Sequence, residues 1–186
     1  MKVWDLHCDT LSELRRAEKN GTPASFAHND LHIDLEKLQA GDYMLQCLAA
    51  FVNLADPTPG ADPLVTALEE IDVFKRIMAK YPDRIAPVYT AADIRKNAEA
   101  GKISGLLTVE EGGCCKGSLG VLRRMYELGV RMTDPDLEPR QRAGRPAGKP
   151  RRAAGGSNPA RPDRNGLCLS GRDGAPAHDR GREPSF

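Results

Sequence analysis

Residues Tyr43–Val52 read "YMLQCLAAFV", ten positions interrupted by one strongly polar side chain, Gln46. A strand with one wet face alternates apolar and polar residues, and this run does not. It reads as a strand covered on both faces, the situation of a parallel sheet whose crossover helices pack against it. The flanks agree. Upstream, Asp34 is placed to cap a short helix, Leu35–Gln39, which Gly41 stops. Downstream, Asp62-Pro63 is an N-cap followed by proline at the first helical position. The helix it opens carries Leu64, Leu68, Ile71, Phe74 and Ile77 at three- and four-residue steps.

The same rhythm extends both ways. Lys2–Leu6 predicts a strand, Thr10–Lys19 a helix, and Asn20–Asn29 a polar loop. Further on come a short strand at Ile85–Val88, a helix at Ala91–Ala100 capped by Thr90, and a strand at Gly105–Glu110, "GLLTVE". A helix over Ser118–Leu128 stops at Gly129, and Val130–Met132 begins another strand. Strand and helix alternate without internal repeats, which predicts an α/β fold with a parallel sheet. Near Asp134 the pattern ends. Beyond it there is no Val, Ile, Met, Tyr or Trp, and Arg, Pro, Gly and Ala dominate. Such a segment buries too little apolar surface to offset its ordering entropy, so residues 133–186 are expected to form a disordered tail after an ordered part at 1–132.

Charge and cysteine content narrow the function. The net charge of +1 gives no global pull towards nucleic acid. The Arg-rich tail lacks aromatic interleaving, so no nucleic-acid partner is expected; a non-enzymatic fragment with a basic, anion-binding arm is the distant rival reading. No apolar run reaches the roughly 18–20 residues of a membrane span, so no membrane partner is expected. The start, "MKVWDLHCDT", lacks the apolar stretch of a signal peptide. Cys8, Cys47, Cys114, Cys115 and Cys168 form no CxxC pair, and the expectation is reduced thiols in a cytoplasmic protein. Association with further copies of the chain is left open.

Two places carry candidate chemistry. His7-Cys8-Asp9 closes the first strand, where alternation would aim His7 and Asp9 the same way and Cys8 the other. An imidazole beside a carboxylate is half of a metal site, or else a histidine hydrogen-bonded to an aspartate. A second His-x-Asp, His32-Ile33-Asp34, precedes a helix that Asp34 caps, so His32 is read as structural. Glu110 and Glu111 end the "GLLTVE" strand before Gly112-Gly113, whose freedom permits a tight turn. In parallel α/β barrels such strand ends hold the chemistry, and a carboxylate there could bridge two metal ions.

"DLHCDTL" (5–11), "HIDLEKLQAGDYMLQCLAAFV" (32–52), "LLTVEEGG" (106–113) and "SLGVLRRMYELGVRM" (118–132) follow in order. Together they resemble the membrane dipeptidase family, peptidase family M19, over roughly residues 1–132. The resemblance implies a (β/α)8 TIM-type barrel, of which this chain holds part, and a zinc-dependent hydrolase of dipeptides, often with a D-residue at the C-terminal position. It implies a binuclear Zn2+ centre in which His7 and Asp9 hold one ion and Glu110 bridges both, with Glu111 the alternative. Where relatives often carry "EGGH", Cys114 stands after the glycines, so that histidine is not carried over. A metal-dependent hydrolase of another barrel family is the nearer rival. No catalytic residue beyond the metal ligands is assigned.

The family's second zinc takes two histidines from later strands. After residue 132 there is one histidine, His178, in a run that resembles none of those strands. Back-translation of "TDPDLEPRQRAG" (133–144) with a shift of one nucleotide permits Leu-Thr-Leu-Thr-Trp-Asn, which resembles what the family places after "GVRM". The expectation is therefore a frameshifted tail, a truncated barrel with an incomplete second zinc site, and little or no dipeptidase activity.

Overall fold

A computed structural model describes residues 1–54 and 61–134. The expected disorder, the frameshift reading, Cys168 and His178 lie outside the described residues, apart from Thr133 and Asp134. Along the chain run β1 (Val3–Asp5), α1 (Thr10–Lys19), α2 (Leu35–Ala40), β2 (Tyr43–Phe51), α3 (Pro63–Lys80), β3 (Ile85–Pro87), α4 (Ala91–Glu99), β4 (Ile103–Glu110), α5 (Leu119–Leu128) and β5 (Met132–Thr133). A 3-10 turn at Gly112–Cys115 follows β4.

Every strand pair is parallel. β2 lies between β1 and β4. β3 pairs with the first residues of β4, Ile103–Gly105, and β5 pairs with Thr108 and Val109 near its end. Since β2 runs beside Ser104–Glu110, β3 and β5 share the other edge of β4 in succession. The sheet curls into a half-barrel flanked by helices, an incomplete (β/α) barrel.

β2 is buried on both faces, as its continuous apolar run requires. Leu48, Ala50 and Val52 join Ile103, Leu107 and Val109 of β4 in one buried cluster with Ala67, Ile71, Phe74 and Met78 of α3 and Leu11 and Leu14 of α1. The alternate residues Leu45, Cys47 and Ala49 are equally buried. At about 25 cal/mol per Å2, each fully buried aliphatic side chain contributes about 1.5–3 kcal/mol, so this cluster holds the helices to the sheet.

The capping residues act as their types dictate. Asp34 accepts the Lys37 N–H at 2.8 Å, and Asp62 accepts the Leu64 N–H at 2.8 Å. Ser118 accepts the Val121 N–H, and Gly129 ends α5 at φ 113°, a left-handed conformation that favours glycine. At α4 the return half of the cap is clear: the Asp93 carboxylate accepts the Thr90 N–H at 2.7 Å. Element ends differ from the sequence-based expectation by one or two residues. The two-residue differences include β4, which begins at Ile103 rather than Gly105 because the ladder to β3 starts there, and β5, which begins at Met132 rather than Val130.

Candidate metal centre

His7 and Asp9 lie beyond the last residue of β1, Asp5, in the turn into α1. Strand alternation is therefore not what aims them. The turn does so, while β2 holds it in place: the Ala49 N–H donates to the Cys8 carbonyl at 3.0 Å. Cys8 faces away, packed against the core, and burial raises its thiol pKa. Asp9 precedes α1 and its carbonyl accepts the Ser12 and Glu13 N–H groups, but its carboxylate makes no capping hydrogen bond. That carboxylate is left for the site. Asp34, in the other His-x-Asp, is fully buried and spends its carboxylate on its helix, and His32 is exposed.

Glu110 is the last residue of β4, in register with Phe51 at the end of β2. The Val52 N–H donates to its carbonyl at 3.4 Å. Both halves of the candidate site are thus strapped to the same end of β2. His7 Nε2 lies 3.2 Å from Asp9 Oδ1 and 3.4 Å from Glu110 Oε2. One donor atom from each of the three residues falls within 4.8 Å of the others, the one such group of three among the described residues. The side chains are 53, 49 and 39% exposed, so the cluster opens to solvent.

Zinc bonds to nitrogen and oxygen of about 2.0–2.2 Å separate neighbouring tetrahedral donors by roughly 3.2–3.6 Å. The two distances at His7 match that spacing. One imidazole and two carboxylates also form the donor set that a divalent ion of borderline softness accepts. The residues present therefore fit one zinc ion. Among the described residues no second group of donors stands beside them.

Glu111 adopts φ 72° at the start of the 3-10 turn and is not part of the cluster. The glycines after it serve the backbone. A Cβ on Gly112 would lie 2.5 Å from the Asp134 carbonyl oxygen, which accepts the Gly112 N–H at 3.0 Å. Glycine is needed there because the chain passes against the end of β5. Cys114 and Cys115 are free thiols with pKa values raised by burial, Cys114 to about 12.

One feature beneath the site had no sequence signal. Glu70, on the apolar face of α3, is 1% exposed and accepts a 2.9 Å hydrogen bond from Ser12 Oγ. Helical periodicity places Glu70 beside Ile71 and Phe74, but nothing in spacing tells a buried glutamate from a solvated one.

Comparison with known proteins fits the same frame. The family model of membrane dipeptidases, peptidase family M19, matches residues 1–134. Dipeptidase 3 of Mus musculus is 36% identical over 98 residues, covering 53% of this chain and 19% of its own length. A crystal structure of dipeptidase AC, an M19 metallopeptidase, superposes with a TM-score of 0.62 at 24% identity, over 73% of this chain and 42% of that one. A metallopeptidase from Rhodobacter sphaeroides, liganded with a phosphinate mimic of the dipeptide L-Ala-D-Ala, gives 0.61 at 22% identity, over 72% and 44%. These structural likenesses carry the fold alone, and the chain spans less than half the length of each of these relatives. With the half-barrel fold and the donor cluster at its strand ends, the match over residues 1–134 places the chain in the membrane dipeptidase family, peptidase family M19.

Proposed function

We propose that the chain carries one half of a zinc dipeptidase centre, with His7, Asp9 and Glu110 as its ligands. The observation behind this reading is the convergence of those three donors at one end of the sheet. A zinc ion bound there would lower the pKa of a coordinated water towards 7 and polarise a peptide carbonyl. His7 and Asp9 would hold that ion. Glu110, with two carboxylate oxygens, would reach towards a neighbouring ion supplied with ligands by later strands. The substrate class is a dipeptide, with tolerance of a C-terminal D-residue.

This chain is expected to hydrolyse dipeptides little or not at all, since the described residues supply a single triad. The division at residue 132, with a non-homologous tail after it, and a cytoplasmic location belong to the same proposal. Among the described residues no helix is long and apolar enough to cross a membrane.

Zinc titration of the purified chain, with hydrolysis of a dipeptide panel alongside, tests the reading. About one zinc per chain is expected, lost on His7→Ala or Glu110→Gln, with negligible turnover. Zinc binding that survives both substitutions would remove the site. Full dipeptidase activity would remove the incomplete-centre reading.

A further inference from the structure

Glu70 lies within the apolar cluster yet keeps a carboxylate there. An isolated buried carboxylate is costly, and a well-packed apolar side chain in its place is often neutral or stabilising. Stability alone therefore does not account for it. Its partners come from separate elements. From α1, Ser12 Oγ donates at 2.9 Å and Arg15 Nη1 stands at 4.0 Å. At the end of β2, the Phe51 N–H lies near enough to the carboxyl to favour its charged form. Asp9 is near enough for its charge to act on the carboxyl.

Those partners lead directly to the candidate ligands. Ser12 lies in the first turn of α1, whose opening carbonyl belongs to Asp9 and accepts the Ser12 and Glu13 N–H groups. Phe51 is in register with Glu110, and the next residue, Val52, donates to the Glu110 carbonyl. We propose that Glu70 is a positioning residue that clamps the start of α1 to the end of β2 and so fixes Asp9 relative to Glu110. It touches none of the three donors itself; it acts through its hydrogen bond to Ser12 and its place against the end of β2 near Phe51. The inference rests on the metal-centre reading for its purpose and on the two straps for its geometry.

The test uses the full chain with Co2+ as probe, amide hydrogen exchange and thermal unfolding, on wild type, Glu70→Met and Ser12→Ala. Loss of a group that orients ligands typically weakens metal binding about 10- to 100-fold. Glu70→Met is expected to bind Co2+ about 10-fold more weakly, with an altered visible spectrum and an unfolding temperature that does not fall. Exchange should quicken at the Glu13 and Val52 amides while the β2–β4 ladder stays protected. Ser12→Ala, a mild change, should weaken binding several-fold with the fold intact.

Wild-type affinity in both variants would overturn the proposal. So would a loss of affinity that comes only with lost protection throughout the sheet. If wild type itself takes no Co2+, the metal-centre reading fails, and exchange at Glu13 and Val52 still decides the clamp. Selective quickening supports it, and unchanged protection ends it.

Discussion

Asp34 and Glu70 are both buried carboxylates, and their surroundings push them in opposite directions. Burial alone would raise the Asp34 pKa, but the Lys37 ammonium and N–H and the Asn29 N–H hold it down to about 2. It therefore supports the fold fully above its unfolded value of 3.8, and that support is lost as pH falls towards 2. Asp34→Ala removes a cap and strands buried donors, with an expected loss of about 2 kcal/mol in urea unfolding at pH 7 that shrinks on acidification. At Glu70 burial prevails over the Ser12, Arg15 and Phe51 contacts, with Asp9 adding to it, and the pKa rises from 4.5 to about 7. The native state then holds a proton that the unfolded chain has released. Stability is expected to fall as pH rises from about 4.5 through 7, by on the order of 3 kcal/mol. Glu70→Met should flatten that part of the pH–stability curve. An unchanged slope would mean that Glu70 does not titrate in this window.

At the scale of elements, the joint between β4 and β5 is where a single methyl group should matter. Gly112→Ala puts a carbon 2.5 Å from the Asp134 carbonyl oxygen, against backbone that has little room to yield. A cost of about 1–3 kcal/mol is expected, with faster exchange of the Gly112 and Asp134 amides. Retained exchange rates would show that β5 shifts without cost. How far the sequence revealed these elements follows from what local chemistry encodes. The two-sided burial of β2 was legible because a run of ten residues, Tyr43–Val52, carries the signal with one polar interruption. The caps at Asp34, Asp62 and Ser118 were legible because each needs only its own helix start. His7 and Asp9 were legible as a pair, but the strand reading that paired them was wrong, since β1 ends at Asp5. Their meeting with Glu110 depends on pairing across a hundred residues, which no local pattern contains; the family resemblance supplied it. Glu70 was not legible because its partners, Ser12 and Phe51, come from two other elements.

For the whole molecule, the number of strands decides what the surface does. A closed barrel has no edges, whereas among the described strands β1 pairs only with β2, and β5 only with β4. The solved relatives that superpose on this chain are more than twice as long as the matched part, 42% and 44% of each being covered. Beside the β1 edge, Trp4 and Leu6 are 53% and 63% exposed, large apolar groups that a soluble monomer would be expected to cover. An unpaired parallel edge flanked by apolar side chains is a template for another chain. Self-association that grows with concentration is therefore expected, measurable by sedimentation velocity across a dilution series. Leu6→Lys, which adds a charge beside the edge without touching the buried cluster, should shift the distribution towards monomer while leaving the far-ultraviolet dichroism unchanged. If that substitution leaves association as it was, the edge is not the contact. If wild type stays monomeric throughout, the exposed strand does not act as a template, and the half-barrel stands in solution on its own core.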